Sequence, residues 1–128
     1  MVLYQNTDKN YNIIHALDGY DEISLTGAAK IVNNETEQVL NASNFGVSEL
    51  KQNEIYGGDS IASSAEIFNQ VLDGLGTVAQ NNVVCANAAL AISTVYNTSV
   101  SDSFQLAKES LMSGKAKHSF KTLVDLSK

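Results

Sequence analysis

The chain contains no proline, no arginine and one cysteine. Lacking arginine, it lacks the bidentate fork that usually grips phosphate or carboxylate, so a bound anion needs lysine, backbone N–H groups or a metal. Its 8 lysines face 14 acidic residues, and the net charge of −6 repels nucleic acid and anionic membranes. Cys85 alone excludes an intramolecular disulfide framework and a cysteine-based zinc cluster, and fits a reducing compartment, the cytoplasm by default. The apolar run Val83 to Ala86 ends at Asn87, and no charged stretch followed by an apolar one opens the chain. Neither a membrane span nor a signal peptide is expected. Where about 5% proline is usual, its absence leaves turns to Asn, Gly and Ser. With 128 residues, 44% of them apolar, the chain has room for one domain with a real core.

Two patterns divide that length. Residues 11–47 read as strands: Asn12 to Leu17, Ala28 to Val32 and Thr36 to Leu40, the last two flanking Asn33-Asn34-Glu35. Asn tolerates the left-handed backbone of tight hairpins, so this segment predicts a hairpin. Val2 to Gln5 reads as a helix end or a frayed tail, and residues 1–10 as the end of a preceding helix and its linker. From residue 59 to 128 the period is helical. Ile61, Ala65, Phe68 and Leu72 form a stripe widened by Ile67, Val71 and Leu75, which Gly74 and Gly76 stop. Val83 to Val95 is apolar on every side, a central helix capped by Asn81 or Asn82. Ser99 and Asp102 resemble a capping box before Val100, Phe104, Ala107 and Leu111, with Gly114 as the C-terminal stop. A last helix carries Ala116, Phe120, Leu123 and Val124. Strands followed by helices predict a sheet with packed helices, either a self-standing α+β domain or the closing part of a larger α/β layer.

Chemistry concentrates in Asp18-Gly19-Tyr20-Asp21-Glu22, three carboxylates in five residues after an apolar strand. Open α/β sheets bind ligands at such strand ends. A turn permitted by Gly19 brings Asp21 and Glu22 onto one hard cation such as Mg²⁺, whereas on spacing alone a solvated acidic turn is the stronger reading. An EF-hand is excluded, because the twelfth position from Asp18 is Ala29. Gly57-Gly58-Asp59-Ser60 has the look of an anion site at a helix start, but Asp59 repels phosphate, and a turn with Asp59 as cap is the better account. His15 reads as a core histidine before a general base, and His118 has no clustered partner. Asn87 needs a hydrogen-bond partner inside its apolar helix, since an unpaired buried amide costs about 1–3 kcal/mol. Cys85 reads as a small core residue.

The stretch from His15 to Gly27, HALDGYDEISLTG, closely resembles the signature of the anthranilate phosphoribosyltransferases. Asn44-Phe45-Gly46, Gly57-Gly58, Gln80 to Val84, Asn87-Ala88-Ala89 and Ala107 to Gly114 extend the match over most of residues 11–126. The resemblance implies an α/β catalytic domain of nucleoside phosphorylase type, joined in the whole enzyme to a helical domain through which homodimers form. It implies transfer of phosphoribosyl from phosphoribosyl pyrophosphate to anthranilate in tryptophan biosynthesis, with Asp21 and Glu22 holding Mg²⁺ on the pyrophosphate. No further catalytic or cofactor-binding residue is carried over. Family members are well over twice this long, and the GTGGD phosphate loop, the KxGN-type motif and the anthranilate-holding arginine have no counterpart here. The chain therefore reads as a C-terminal segment of such an enzyme, inactive alone, with an apolar face that the rest of the domain would cover. Two other readings stand beside it: a non-catalytic interaction module that kept the fold, and a related transferase or phosphorylase with another acceptor.

Overall fold

The computed structural model describes residues 7–128. The helix end expected at Val2 to Gln5 lies outside them, and residues 7–10 are loop. Three antiparallel strands follow in the order β1 (Asn12–Ala16), β2 (Ala29–Asn33) and β3 (Glu37–Leu40). The register sets Ala16 opposite Ala29 and Ala29 opposite Leu40. All three are buried, and the two-residue period of β2 adds Ile31 to the same face. The β2–β3 hairpin is where expected, for a different reason. No residue from Asn33 to Thr36 has positive φ; instead the Asn33 carboxamide oxygen accepts from the N–H groups of Glu35 (2.9 Å) and Thr36 (2.7 Å). The side chain closes the turn by imitating a backbone carbonyl.

Two short 3₁₀ turns, Ala42–Phe45 and Gln52–Ile55, lead to four helices: α1 (Ile61–Leu72), α2 (Val78–Tyr96), α3 (Val100–Met112) and α4 (Lys115–Leu126). Helix α2 begins earlier than the apolar run suggested. Thr77 accepts from the Gln80 N–H and Gln80 reaches back to the Thr77 N–H, a capping box that displaces the expected Asn81 or Asn82 cap. Ser99 caps α3 as expected, and Gly114 follows that helix with φ +78°. Ser60, not Asp59, caps α1, while Asp59 accepts from the Tyr56 hydroxyl.

The core lies between the sheet and the α2–α3 pair. Ile23, Leu25, Ile31, Leu40 and Phe45 meet Cys85, Ala86, Ala89 and Leu90 of α2 and Phe104, Ala107 and Leu111 of α3. Phe45 and Phe104 pack tilted, with ring centroids 6.1 Å apart. Helix α2 is covered on one side only, since Val84 and Val95 are exposed. The α1 stripe forms a helix, but of its residues Val71 alone is buried, and Ile61 and Leu75 remain 92% and 76% exposed. Helix α4 has no fully buried residue, though Ala116 packs half-buried against the core; Phe120 sits edge-on against Phe68 of α1, centroids 4.9 Å apart, and Lys117 pairs with Asp73. Among the described residues no single helix is long and apolar enough to cross a membrane.

Candidate metal-holding loop

β1 ends at Ala16, and the chain turns at once: Gly19, with φ +97°, donates to the Ala16 carbonyl at 3.3 Å. That turn divides the three carboxylates. Asp18 faces inward, and its Oδ2 accepts from the Ser24 hydroxyl (2.8 Å) and the Thr26 hydroxyl (2.5 Å). Its buried Oδ1 has no hydrogen-bond partner among the described residues. A side chain at Gly27 would place its Cβ 3.0 Å from Asp18 Oδ2, so glycine leaves room for the latch. Asp21 and Glu22 are exposed, and the next three residues, Ile23, Ser24 and Leu25, are buried. The two outward carboxylates therefore stand on a loop whose following segment is part of the core.

The loop is fastened at three places. Asp18 holds Ser24 and Thr26. Asn87 of α2 accepts from the Ile23 N–H (2.9 Å) and donates to the Ile23 carbonyl (2.8 Å) and to the Val83 carbonyl of its own helix (2.9 Å). Leu25, buried at 1% exposure with φ +60°, gives its carbonyl to the Leu50 N–H at 2.9 Å. A left-handed leucine is costly backbone, of a kind that persists where packing over-determines it and that clusters at functional sites.

Burial works against ionisation of Asp18, but the Thr26 and Ser24 hydroxyls and the N–H groups of Asp18 and Tyr20 outweigh it and hold the pKa below the ordinary 3.8. The unfolded chain then binds the proton more readily than the folded one. The stabilisation is complete above pH 3.8 and is lost as the pH falls through the lower folded value. Urea unfolding across this acid range is expected to lose part of its pH slope in Asp18→Asn. An unchanged slope would mean that the latch carries no such linkage.

Other expected positions fall elsewhere. His15 is exposed on β1 opposite Lys30, so it is not a core histidine. Cys85 is a core residue, its thiol pushed up by burial, with the Lys108 charge pulling the other way to a smaller extent. A polar cleft of about 270 Å³ beside Asn12, Asn33 and Thr94, and an apolar one of about 280 Å³ between Tyr56, Phe68 and Val83, are both lined without the acidic turn. Among the described residues no three of His, Cys, Asp and Glu are grouped to hold a metal. Asp21 and Glu22 are two adjacent carboxylates open to solvent, an arrangement that could hold Mg²⁺ only with its shell completed by water and phosphate oxygens, not as a cage made by protein alone.

The roles of Ser24, Thr26 and Leu25 were not apparent from the acidic motif. No strand-like alternation marks the first two, because Leu25 between them has φ +60° and the segment is not extended.

The glycosyl transferase family a/b domain profile matches residues 2–117. Anthranilate phosphoribosyltransferase of Christiangramia forsetii is 64% identical over 98% of this chain and 38% of its own length. That of Flavobacterium psychrophilum is 55% identical over the same shares. The Saccharomyces cerevisiae enzyme, solved in complex with PRPP and Mg, superposes with a TM-score of 0.77 at 21% identity, over 91% of this chain and 33% of that one; it has also been solved with 4-fluoroanthranilate. At that identity the superposition establishes the phosphoribosyltransferase-type α/β fold. The chain spans 38% of the length of these curated relatives, and with its profile match running from residue 2 to 117 it belongs to the glycosyl transferase family, a/b domain.

Proposed function

We propose that the chain is the metal-holding C-terminal part of an anthranilate phosphoribosyltransferase, with Asp21 and Glu22 as the Mg²⁺ ligands. The observation that carries this reading is the exposure of both carboxylates on a loop pinned to the core at Ile23 and Leu25. Two carboxylates in a chain without arginine repel an anionic substrate and become useful to it only across a cation. When bound, Mg²⁺ neutralises pyrophosphate as the ribosyl carbon–oxygen bond breaks. This chain orients the ligands that set the ion, and supplies no nucleophile. The acceptor amine of anthranilate and the PRPP ribose are positioned by parts of the enzyme for which these 128 residues hold no counterpart. The whole enzyme is read as a cytoplasmic homodimer.

A chimera tests this: residues 1–128 replace the matching C-terminal part of the Christiangramia forsetii enzyme, at 64% identity, and anthranilate fluorescence is followed with PRPP and Mg²⁺. Turnover is expected in the chimera and not in the isolated chain, and Glu22→Gln is expected to abolish it. A folded but inactive chimera, or one indifferent to Glu22→Gln, would contradict the assignment.

A further inference from the structure

We propose that Asn87 is a positioning residue for the acidic pair: from α2 its carboxamide grips both backbone polar groups of Ile23, the residue directly after Glu22. The inference rests on the metal-holding reading of Asp21 and Glu22. The amide meets Ile23 as a neighbouring strand would, accepting from its N–H at 2.9 Å and donating to its carbonyl at 2.8 Å. The second amide hydrogen goes to Val83 in the preceding turn of α2 at 2.9 Å, which fixes the side-chain rotamer. Donor and acceptor ends are therefore both committed, and a flipped carboxamide would set N–H against N–H and oxygen against carbonyl.

This grip differs in kind from the loop's other fastenings. The Asp18 latch ties the loop to itself, from residue 18 to residues 24 and 26. Leu25 bonds to Leu50, in another loop. Asn87 alone among these ties the segment to a helix whose Cys85, Ala86, Ala89 and Leu90 are in the core. Because Ile23 itself is 2% exposed, the hydrogen bonds and the apolar side chain act at one residue, and the backbone leaving Glu22 inherits a fixed position relative to α2. Partners that orient metal ligands without touching the ion typically change affinity by about ten- to a hundredfold when removed.

The test uses the 128-residue chain and Mn²⁺ with inorganic pyrophosphate, read by the electron paramagnetic resonance of free Mn²⁺. Asn87→Asp keeps the acceptor for the Ile23 N–H and loses both donors. It is compared with Leu90→Ala, a core change on the same helix that removes no bond to Ile23. Mn²⁺ affinity is expected to fall about tenfold or more in Asn87→Asp, and to stay near the parent value in Leu90→Ala below its melting temperature. Equal affinity in Asn87→Asp and the parent, with Asp21→Asn/Glu22→Gln abolishing binding, would overturn the positioning role alone. Unchanged binding in that double variant would overturn the metal assignment and this inference together. Independently of any variant's folding, the Ile23 amide of the parent chain is expected to exchange with deuterium as slowly as the α2 amides around Leu90; exchange as fast as at exposed Tyr20 would refute the grip.

Discussion

Changing Asp21 to Asn and Glu22 to Gln together is expected to weaken Mn²⁺ binding in the presence of pyrophosphate by more than about a hundredfold, beyond the range typical of groups that only orient ligands. Both substitutions preserve side-chain size and remove only charge. Because both side chains are exposed, folding stability is expected to change by less than about 0.5 kcal/mol. That contrast makes the experiment informative, since lost affinity with an unchanged urea midpoint assigns the effect to ligation rather than to unfolding. Affinity within threefold of the parent (roughly 0.7 kcal/mol at 25 °C) would remove Asp21 and Glu22 from the site.

The largest effect on stability is expected at Phe104. It is 2% exposed, faces Phe45 across the core and lies on the helix that packs against α2. Truncating such a phenylalanine to alanine removes its transfer free energy and leaves a cavity, a loss of about 3–5 kcal/mol. For a domain whose whole stability is about 5–15 kcal/mol, that approaches unfolding. Phe120→Ala is the control, because the Phe68–Phe120 pair is as close as 4.9 Å yet stands at the surface of α4. Its loss is expected to cost no more than about 1.5 kcal/mol. Equal losses at the two positions, measured by urea unfolding, would mean that the α1–α4 contact belongs to the core.

How far these features were legible depended on whether their cause was local. The Ser99 cap of α3, the Gly114 stop and the strand segments were readable because caps, glycine and short apolar runs bounded by Asn turns act within a few residues. The start of α2 was misplaced because the apolar run hid Thr77-x-x-Gln80, itself a local signal. At the hairpin the residue type was right and the mechanism was not: Asn33 acts through its side chain and keeps its backbone out of the left-handed region. The α1 stripe illustrates a different limit. Periodicity from Ile61 to Leu72 predicts a helix correctly, but it states only that a face is apolar, not what covers it, and here Ile61 and Phe68 meet solvent.

The acidic turn divides in the same way. Composition marked three carboxylates after a strand, and the family resemblance singled out Asp21 and Glu22. The inward turn of Asp18 depends on hydroxyls six and eight residues away, and the grip on Ile23 depends on Asn87, 64 residues away. An isolated Asn in an apolar helix announces the need for a partner and is silent about its identity. Only the packing of α2 beside the loop supplies it.

The most direct measurement of the central claim is an amide nitrogen–proton spectrum of the chain titrated with substoichiometric Mn²⁺ in the presence of pyrophosphate. Paramagnetic broadening falls off steeply with distance and so locates the ion without any substitution. The account predicts that the amides of Asp21, Glu22 and Ile23 disappear first, while those of the other acidic turn, Glu35 to Glu37 at the β2–β3 hairpin, persist. Broadening centred on that hairpin, or spread evenly over the acidic surface, would contradict it.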